Sequence, residues 1–402
     1  MDSAGAPSDK PPLRAPLWLL GLLAISGTLG MHIFVPALTI TAADLKASVA
    51  SMQMTISVYI AGLAIGQLVY GPISDRFGRR PALMAGLTLY VIASVALAVT
   101  TDVNVLIAGR FVQALGGCAG LVLGRAIVRD LAGPTDAARR LAMLNLIMIV
   151  GPALAPIIGG ALAGFTGWRS IMILLSLLGA AGLIATLTLL PETRAPGHGA
   201  RSVRELARDY SSLFASPTFL GYSIGGGCAT TSMYGFVSVA PFVFINELHR
   251  PHSELGLHLA VIILGAWLGS MAASRLLLHV EMRRLMIAGN LLSLFAALTL
   301  LAAALSGELT AFLATGVMFL FTFGAGVASP TALTQAISAN PRVVGSASGL
   351  YGFLQMTIGA ICTAMATFGD PAVAAAMTLS VAGVIAQISF WIAARAKKAV
   401  SS

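Results

Sequence analysis

Two ionisable side chains lie within apolar stretches of this chain, and their types could support proton transfer or anion binding. His32 lies in a stretch that begins near residue 17. Arg110 shares one helix face with Gln113 and Gly117, which follow it by three and seven residues. Imidazole takes up and releases a proton near neutral pH, whereas a guanidinium keeps its charge. Because an ionisable group is costly inside a bilayer, both are functional candidates if these stretches cross one.

The composition of the whole chain predicts a membrane protein. Of its 402 residues, 57% are hydrophobic and only 10% are charged, whereas a soluble domain is about a quarter charged. The net charge of +9 is spread over short loops, so a nucleic-acid partner is not predicted. Cys118, Cys228 and Cys362 lie far apart in apolar stretches, which predicts neither a disulfide framework nor a metal site. No cofactor is predicted.

Twelve apolar stretches are long enough to cross a bilayer as helices, since about 20 apolar residues cover a hydrocarbon core of ~30 Å. The spans lie near residues 17–38, 52–73, 81–100, 104–127, 141–163, 168–190, 218–243, 255–277, 285–305, 309–335, 344–367 and 372–394. The first stretch is interpreted as an uncleaved span. We predict an all-α membrane protein with this domain order: cytoplasmic tail 1–16, six-helix bundle 17–190, polar and basic linker 191–217, six-helix bundle 218–394 and tail 395–402.

The distribution of Lys and Arg predicts the orientation. With the N-terminus inside, 19 basic residues fall on the cytoplasmic side and three on the outer side, in keeping with the positive-inside rule. Both termini are therefore expected in the cytoplasm. A faint repeat supports two related halves, because Arg79-Arg80 and Arg283-Arg284 follow the second span of each half. Chains built from two such halves bind small molecules between them near the midplane.

A charged turn joins the second and third spans. It reads Gly71-Pro72-Ile73-Ser74-Asp75-Arg76-Phe77-Gly78-Arg79-Arg80-Pro81. Gly and Pro make the turn tight, the Asp75 carboxylate can accept hydrogen bonds from a helix N-terminus or an arginine, and Arg79 and Arg80 can face lipid headgroups. A positively charged topology anchor is the simpler interpretation of this turn.

The fifth span carries two prolines among small residues. Its sequence is Gly151-Pro152-Ala153-Leu154-Ala155-Pro156-Ile157-Ile158-Gly159-Gly160. Gly151, Ala155 and Gly159 are four residues apart, so one face is smooth and permits a close helix neighbour. Pro152 and Pro156 remove backbone donors and favour a bend. An ordinary packing helix would explain the spacing, but explains the paired prolines less easily.

Together these motifs resemble the major facilitator superfamily. The charged turn is similar to the family signature Gly-x-x-x-Asp-Arg-x-Gly-Arg-Arg, and the fifth span to the motif of its antiporter members. The resemblance implies a cytoplasmic gate at Gly71, Asp75, Arg76, Gly78, Arg79 and Arg80, and an antiporter motif at Gly151, Pro152, Pro156, Gly159 and Gly160. Arg110 with Gln113, and Pro191-Glu192-Thr193 after the sixth span, also match the family.

Within that family the chain resembles the Bcr/CflA multidrug-efflux branch. Phe34-Val35-Pro36-Ala37-Leu38 and Gly124-Arg125-Ala126-Ile127-Val128-Arg129-Asp130 carry this resemblance. It implies a twelve-helix exporter of small molecules coupled to inward proton flow. The similarity is strongest in the N-terminal half, because the turn at 278–284 lacks the Gly-x-x-x-Asp-Arg core.

The chain departs from this branch at His32, where the branch often has an aspartate. By helical rise, His32 and Arg110 both lie about 9 Å below the outer interface, so they could share a cavity. We expect proton coupling at His32 and Arg110, with Asp44 at the outer side as another candidate. A simpler interpretation is that His32 only bonds a backbone carbonyl and that Asp44 or another group does the coupling.

Other polar and aromatic residues within the spans are candidates for the substrate path. They are Tyr59, Gln113, Asn145, Tyr234, Phe236, Trp267, Asn290 and Gln355, and for each, helix packing is an equal alternative. Because Arg110 and a protonated His32 would repel cations where water is scarce, neutral or anionic substrates are expected.

The sequence was compared with three kinds of function. The first is a proton-coupled exporter of small amphipathic compounds in a bacterial inner membrane, working as a monomer. The second is a dedicated metabolite exporter or proton symporter of the same fold. The third, an intramembrane enzyme or receptor, lacks support, because no metalloprotease, serine-hydrolase or nucleotide-binding motif appears within the spans.

Overall fold

The computed structural model describes residues 16–131, 134–193, 202–340 and 343–401, and every regular element in these ranges is helical. The α-helices are α1 Leu17–His32, α2 Leu38–Asp44, α3 Val49–Phe77, α4 Arg79–Val99, α5 Val103–Leu131, α6 Pro134–Thr166, α7 Arg169–Leu189, α8 Val203–Phe214, α9 Pro217–Thr231, α10 Met233–Phe242, α11 His252–Leu276, α12 Met282–Ser306, α13 Ala311–Ser338, α14 Val344–Met365 and α15 Pro371–Ser401.

Two membrane-length units are built from several helices. In the first, α1 and α2 are joined by a short 3₁₀ turn at Val35–Ala37, where Pro36 has no N–H to donate to an α-helical bond. In the second, α9 and α10 continue into a π-turn at Val243–Glu247, just after Pro241. Single-turn π segments of this kind are rare. Both units therefore change direction or pitch near their outer ends.

Ten helical units in the described ranges are long and apolar enough to cross a membrane. Two further units, α6 and α14, complete the predicted twelve. Of α6, the stretch Gly151–Thr166 counts as a shorter apolar helix. The other, α14, has no charged residue but carries Ser346, Ser348 and Gln355, which lower its mean hydropathy. The outer surface remains strongly apolar, with Phe165 91% and Phe312 80% exposed, as expected for side chains that face lipid.

Glycines bring the helices into close contact. A Cβ on Gly116 would lie 2.5 Å from the backbone nitrogen of Tyr90 on α4, and a Cβ on Gly62 would lie 2.6 Å from the Phe111 carbonyl oxygen on α5. Such contacts replace the hydrophobic driving force that water supplies to soluble bundles. They fix α5 at the centre of the N-terminal half, between α1, α3 and α4.

The two halves meet mainly along two helix pairs, α6 with α11 and α3 with α14, and α10 also contacts the N-terminal half. Gly256 of α11 approaches the backbone of Pro156 in α6, where a Cβ would be 2.8 Å from the carbonyl oxygen. The Gln67 side chain of α3 fills the space beside Gly352 of α14. His32 contacts Tyr234 of α10. We keep the names outer and cytoplasmic for the ends of the molecule, following the distribution of Lys and Arg.

The segment predicted as a polar linker contains the short helix α8. Ser202 accepts a bond from the Glu205 N–H and the Glu205 side chain accepts from the Ser202 N–H, which is a complete capping box. Leu213 on this helix is fully buried and belongs to a core cluster with Phe219 and Tyr222 of α9. The linker is therefore anchored to the C-terminal half at its far end. Residues 194–201 lie outside the described ranges.

Candidate functional site

His32 ends α1 and is buried at the contact between the halves, with 3% of its surface exposed. Its Nδ1 lies 2.8 Å from the Thr28 carbonyl oxygen. Because a carbonyl can only accept, Nδ1 carries the hydrogen and Nε2 is the nitrogen that is free to take a proton. The ring meets Tyr234 edge-on, with centroids 6.0 Å apart. His32 thus makes the carbonyl bond of its simpler interpretation and keeps a second nitrogen for protonation.

Arg110 is fully buried in the middle of the N-terminal half. Its Nη1 donates to Gln113 Oε1 at 2.6 Å, and its Nη2 donates to the Gly30 carbonyl at 3.0 Å. The guanidinium lies 4.0 Å from the Tyr59 ring centroid and 4.8 Å from that of Phe34, which are favourable cation–π distances. Its Nε has no hydrogen-bond partner among the described residues. Arg110 therefore holds the backbone of α1 two residues before His32.

Tyr59 and Gln113 support this arrangement directly. The Tyr59 hydroxyl donates to the Gly27 carbonyl at 2.7 Å, and Gln113 Nε2 donates to Ser94 Oγ at 2.8 Å. A Cβ on Gly30 would be 2.5 Å from the Tyr59 hydroxyl oxygen, so only glycine leaves room for this contact. The structure thus brings four predicted residues together around the outer half of α1: His32, Tyr59, Arg110 and Gln113.

Asp44 is separate from this cluster. Its Oδ2 accepts from the Trp168 indole at 2.9 Å and from Arg169 Nη1 at 2.5 Å. Arg169 also donates to the Thr100 carbonyl at 3.0 Å. These bonds tie the end of α2 to the start of α7 at the outer surface, which supports a structural role for the carboxylate.

The remaining candidates for the substrate path lie in several places. Tyr234 faces His32, whereas Phe236 is buried against Phe244, 6.5 Å between centroids. Asn290 Nδ2 donates to the Gly383 carbonyl at 3.1 Å and to Gln387 Oε1 at 3.0 Å, which joins α12 to α15.

Gln355 lies at another helix contact of the C-terminal half. Gln355 Nε2 donates to Thr230 Oγ1 at 2.8 Å, which joins α14 to α9. Trp267 is partly buried on α11, and the side chain of Asn145 lies outside the described part of α6. The structure therefore does not gather these residues into one site with His32.

The prediction that Gly71 and Pro72 form a tight turn is wrong: residues 71–77 are the end of α3, with Pro72 inside the helix, and Gly78 alone separates α3 from α4. We keep the name charged turn for residues 71–81, which are organised around Arg79. Its side chain donates from Nη1 to Asp75 Oδ1 at 2.8 Å and from Nε to Asp130 Oδ2 at 2.9 Å. Ser74 Oγ accepts from the same guanidinium. Arg79 itself is buried, 8% exposed as a side chain, so these partners compensate its charge. The network joins the ends of α3 and α5 to the start of α4.

Glu192 completes the turn from a distant point in the sequence. Its carboxylate accepts from the backbone N–H groups of Arg79 at 2.9 Å and Arg80 at 3.1 Å. Without Glu192 these donors of the first turn of α4 would lack an acceptor, because the N-cap residue Gly78 has no side chain. Gly78 has φ +100°, and a Cβ there would be 2.6 Å from Glu192 Oε2.

The other residues of the turn lie at its surface. Arg80 Nη2 donates to the Leu187 carbonyl at 2.6 Å, and Arg76 lies 5.2 Å from the Phe77 ring centroid. Gly71 faces open space. These contacts leave the Arg79 network as the buried centre of the turn.

The paired-proline motif of α6 lies against α1 on one side and α11 on the other. Gly151 is in contact with Ile25, where a Cβ would be 3.2 Å from Cγ2, and Gly159 abuts the Ile33 carbonyl so closely that any side chain would overlap it. Gly160 faces Gly256, with a Cβ 3.9 Å from its Cα. Pro152 and Pro156 lie inside the helix. The motif thus touches the backbone next to His32 and the opposite half at once.

A cavity of about 560 Å³ lies at the cytoplasmic end between the halves. It is lined by Gln67, Leu68, Gly71, Pro72, Asp75, Arg79, Val122, Leu123, Arg125, Ala126, Arg129, Asp130, Leu206, Tyr210, Gly345, Ser346, Ser348 and Gly349. Helices α3 and α5, with Arg79 at the start of α4, supply the wall from the N-terminal half, and α8 and α14 supply the opposite one. The sequence analysis assigned none of Arg125, Arg129 and Tyr210 to a site. The available signal for the arginines was their spacing of four residues near the end of an apolar helix.

Two residues outside the turn that bind to it were missed as members of one network. Asp130 and Glu192 were recognised only as parts of longer motifs, and nothing in their spacing indicates that they meet Arg79 and the start of α4. Each is an acid in a chain with only 15 Asp and Glu, and that scarcity was the one signal.

The site as a whole has two chemically distinct regions. Near the outer end, a protonatable imidazole lies at the contact between the halves beside a permanent cation. Near the cytoplasmic end, an ion network surrounds a cavity shared by both halves. Such an arrangement can bind a proton near one end and a small molecule near the other.

Comparisons with known proteins agree with this interpretation. The sequence profile of the Major Facilitator Superfamily matches residues 20–364. The chain is 30% identical to the uncharacterized MFS-type transporter YdgK of Bacillus subtilis, over 93% of this chain and 94% of that protein. It is 30% identical to multidrug resistance protein D of Escherichia coli K12, with 84% and 85% covered, and 27% identical to the bicyclomycin resistance protein homolog of Haemophilus influenzae, with 85% and 86% covered.

Solved structures share the fold at much lower identity. A D-xylose–proton symporter has a TM-score of 0.72 with 14% identity, covering 94% of this chain and 96% of that one. A POT family transporter in complex with 5-aminolevulinic acid has a TM-score of 0.75 with 14% identity, covering 94% of both chains. The predicted all-α membrane fold of two six-helix halves is confirmed. The chain belongs to the major facilitator superfamily, whose members are membrane transporters and not enzymes.

Proposed function

We propose that this protein is a proton-coupled exporter of small amphipathic compounds, with neutral or anionic substrates preferred over cations. It would work as a monomer in a bacterial inner membrane, with both termini in the cytoplasm, exchanging substrate for protons by alternating access. Relatives named for bicyclomycin resistance and for multidrug resistance, at 27% and 30% identity respectively, support the export of drug-like compounds.

The observation that carries the proposal is the position of His32. Its protonatable Nε2 belongs to a ring that touches Tyr234 of the other half. A proton on this ring places a charge at a buried contact that must separate when the outer end opens. Proton binding and the opening of the outer end are therefore linked through one residue, since any group with different proton affinity in two conformations biases their equilibrium.

Arg110 gives the site its charge preference. Its guanidinium is held beside α1 by a bond to the carbonyl of Gly30, which lies two residues before His32. Within the described ranges its hydrogen-bond partners, Gln113 and Gly30, are neutral. A cationic substrate would meet uncompensated positive charge where water is scarce, and Coulomb terms are large there. This supports neutral or anionic cargo.

Everted vesicles with an acidified lumen test the proposal. A panel of neutral, anionic and cationic compounds is added outside, and lumenal pH is followed together with compound accumulation. We expect an exported neutral or anionic compound to discharge the proton gradient, and His32→Ala to reduce this discharge about tenfold or more. His279→Ala, which removes an exposed histidine, should behave like the wild type.

Two outcomes would contradict the proposal. Substrate-driven proton release that persists in His32→Ala would remove His32 from the coupling. Folded wild-type protein that moves no compound on the panel would favour a dedicated metabolite carrier of the same fold.

A further inference from the structure

The lining of the cytoplasmic cavity contains more arginines than carboxylates. Arg79, Arg125 and Arg129 line it together with Asp75 and Asp130. Both carboxylates are bound to Arg79, at 2.8 and 2.9 Å. This leaves the two arginines of α5 to determine the local potential.

Arg125 has little to hold it in place. Within the described ranges its hydrogen bond runs from Nη2 to the sulfur of Met148 at 3.8 Å, and a thioether is a weak acceptor. Its side chain is exposed to the cavity. A guanidinium offers five donors in a planar fork that matches a carboxylate, sulfonate or phosphate. Arg125 therefore presents most of this donor set to the cavity.

Arg129 lies one helical turn from Arg125 on the same face of α5, since the two are four residues apart. The opposite wall supplies hydroxyl donors from Ser348 of α14 and Tyr210 of α8. Burial, with a smaller effect of the neighbouring Asp209 carboxylate, raises the pKa of the Tyr210 phenol, so this hydroxyl stays neutral and can donate. Positive charge and neutral donors thus converge on one space.

The rest of the lining is apolar and of suitable size. Leu68, Val122 and Leu123 face the cavity, and its volume of about 560 Å³ is within the range of small-molecule pockets, about 300–1,000 Å³. An aromatic or aliphatic body would rest on these side chains while a charged head reaches the arginines.

We propose that this cavity is the cytoplasmic entry site for organic anions, in which Arg125 binds a carboxylate, sulfonate or phosphate group and Arg129 assists it. The inference rests on the proposed export function and names the substrate class and its first binding site. It adds a specificity-determining residue that lies 15 residues along α5 from Arg110, a rise of about 22 Å. One helix then carries a cation near each end of the substrate path.

A matched set of probes separates charge from shape. 2-Naphthalenesulfonate stays ionised, 2-naphthalenesulfonamide is neutral at pH 7, and 2-naphthyltrimethylammonium is a cation of similar size. Binding of each is measured by titration calorimetry on the purified full chain in detergent, and uptake is measured in everted vesicles, where the cytoplasmic cavity faces the medium.

The variants are Arg125→Gln, Arg125→Lys and Arg284→Gln. Arg284→Gln removes an exposed arginine that lies 3.6 Å from Glu281 at the surface, so it changes the net charge by the same amount outside the cavity. We expect Arg125→Gln to weaken sulfonate binding about tenfold or more, because a charge-assisted bond is lost, while sulfonamide binding changes less than twofold. Arg125→Lys should recover part of the sulfonate affinity, and Arg284→Gln should match the wild type.

The outcomes are distinguishable from those of the export proposal. If the wild type does not bind the sulfonate, or Arg125→Gln and Arg284→Gln weaken it equally, the entry site is wrong even if the sulfonamide is exported. If the sulfonate binds in an Arg125-dependent way but no probe is exchanged for protons, the anion site stands and the export function fails. Unchanged sulfonamide binding and unfolding temperature in Arg125→Gln exclude misfolding as the cause of its loss.

Discussion

The contact between Gly78 and Glu192 gives a prediction that can be worked from the structure. Gly78 has φ +100° and ψ 156°, a conformation that L side chains rarely adopt, and a Cβ there would be 2.6 Å from Glu192 Oε2. Gly78→Ala therefore introduces backbone strain of about 1–3 kcal/mol. It also displaces the carboxylate that caps α4, at about 0.5–2 kcal/mol. We expect a total destabilisation of about 2–4 kcal/mol.

A matched glycine isolates the two contributions. Gly167 also has positive φ, +83°, but nothing lies within 4 Å of a Cβ placed there. Gly167→Ala should therefore show the backbone strain alone, about 1–2 kcal/mol. The excess in Gly78→Ala contains the displaced cap together with any difference in backbone strain between the two positions.

A double-mutant cycle with Glu192→Ala completes the test. Glu192→Ala should cost about 1–2 kcal/mol by removing the cap. In Gly78→Ala/Glu192→Ala the clash is absent and the cap is lost only once, so the double variant should be about 1 kcal/mol less destabilised than the sum of the single variants. Stability is measured by reversible unfolding in mixed micelles with circular dichroism. An additive cycle, or a Gly78→Ala cost no larger than that of Gly167→Ala, would refute the reasoning.

Three further predictions concern other contacts. Arg110→Gln should destabilise the fold by about 1–3 kcal/mol, because the buried Gln113 Oε1 and the Gly30 carbonyl lose their donor, as measured by the same unfolding assay; a cost below about 1 kcal/mol would contradict the buried network. Gly352→Leu should prevent α3 and α14 from approaching at Gln67 and should lower transport severalfold, with Gln67→Ala partly restoring it; a lack of rescue in vesicle uptake would argue against this contact. Asp44→Asn should cost at most about 1 kcal/mol, since the pair with Arg169 is solvent-exposed, and proton release per substrate should not change; a loss of proton release would return Asp44 to the coupling site.

Much of the fold was predictable because its signals are local. Hydrocarbon thickness sets the length of each span, and the Lys and Arg distribution follows from headgroup charge, so both are visible in single segments of sequence. The proximity of Arg110 to the α1 backbone beside His32 was also predictable, since both residues differ strongly from their apolar neighbours and lie at a similar depth. The linker helix α8 was missed, although Ser202 and Glu205 have the spacing of a capping box.

The contacts that assemble the site were not predictable for a physical reason. Glu192 meets Arg79 and Arg80 across more than a hundred residues, and such a contact leaves no periodic trace in either segment. Asn290 and Gln355 show the opposite difficulty. A polar side chain inside a span indicates that it needs a partner, but the partner is another helix at both positions, and the sequence alone does not separate this case from a substrate contact.

The long reach of Glu192 also has a consequence for how the protein is made. The third span begins with backbone N–H groups that no neighbouring side chain caps. The Glu192 carboxylate that accepts from them is synthesised 113 residues after Arg79. Until then, spans three to six enter the membrane with this terminus incomplete. The cap on the third span can therefore form only after the end of the first half has been synthesised. A chain interrupted just before Glu192 would contain every span of that half but would lack the carboxylate that caps the third span.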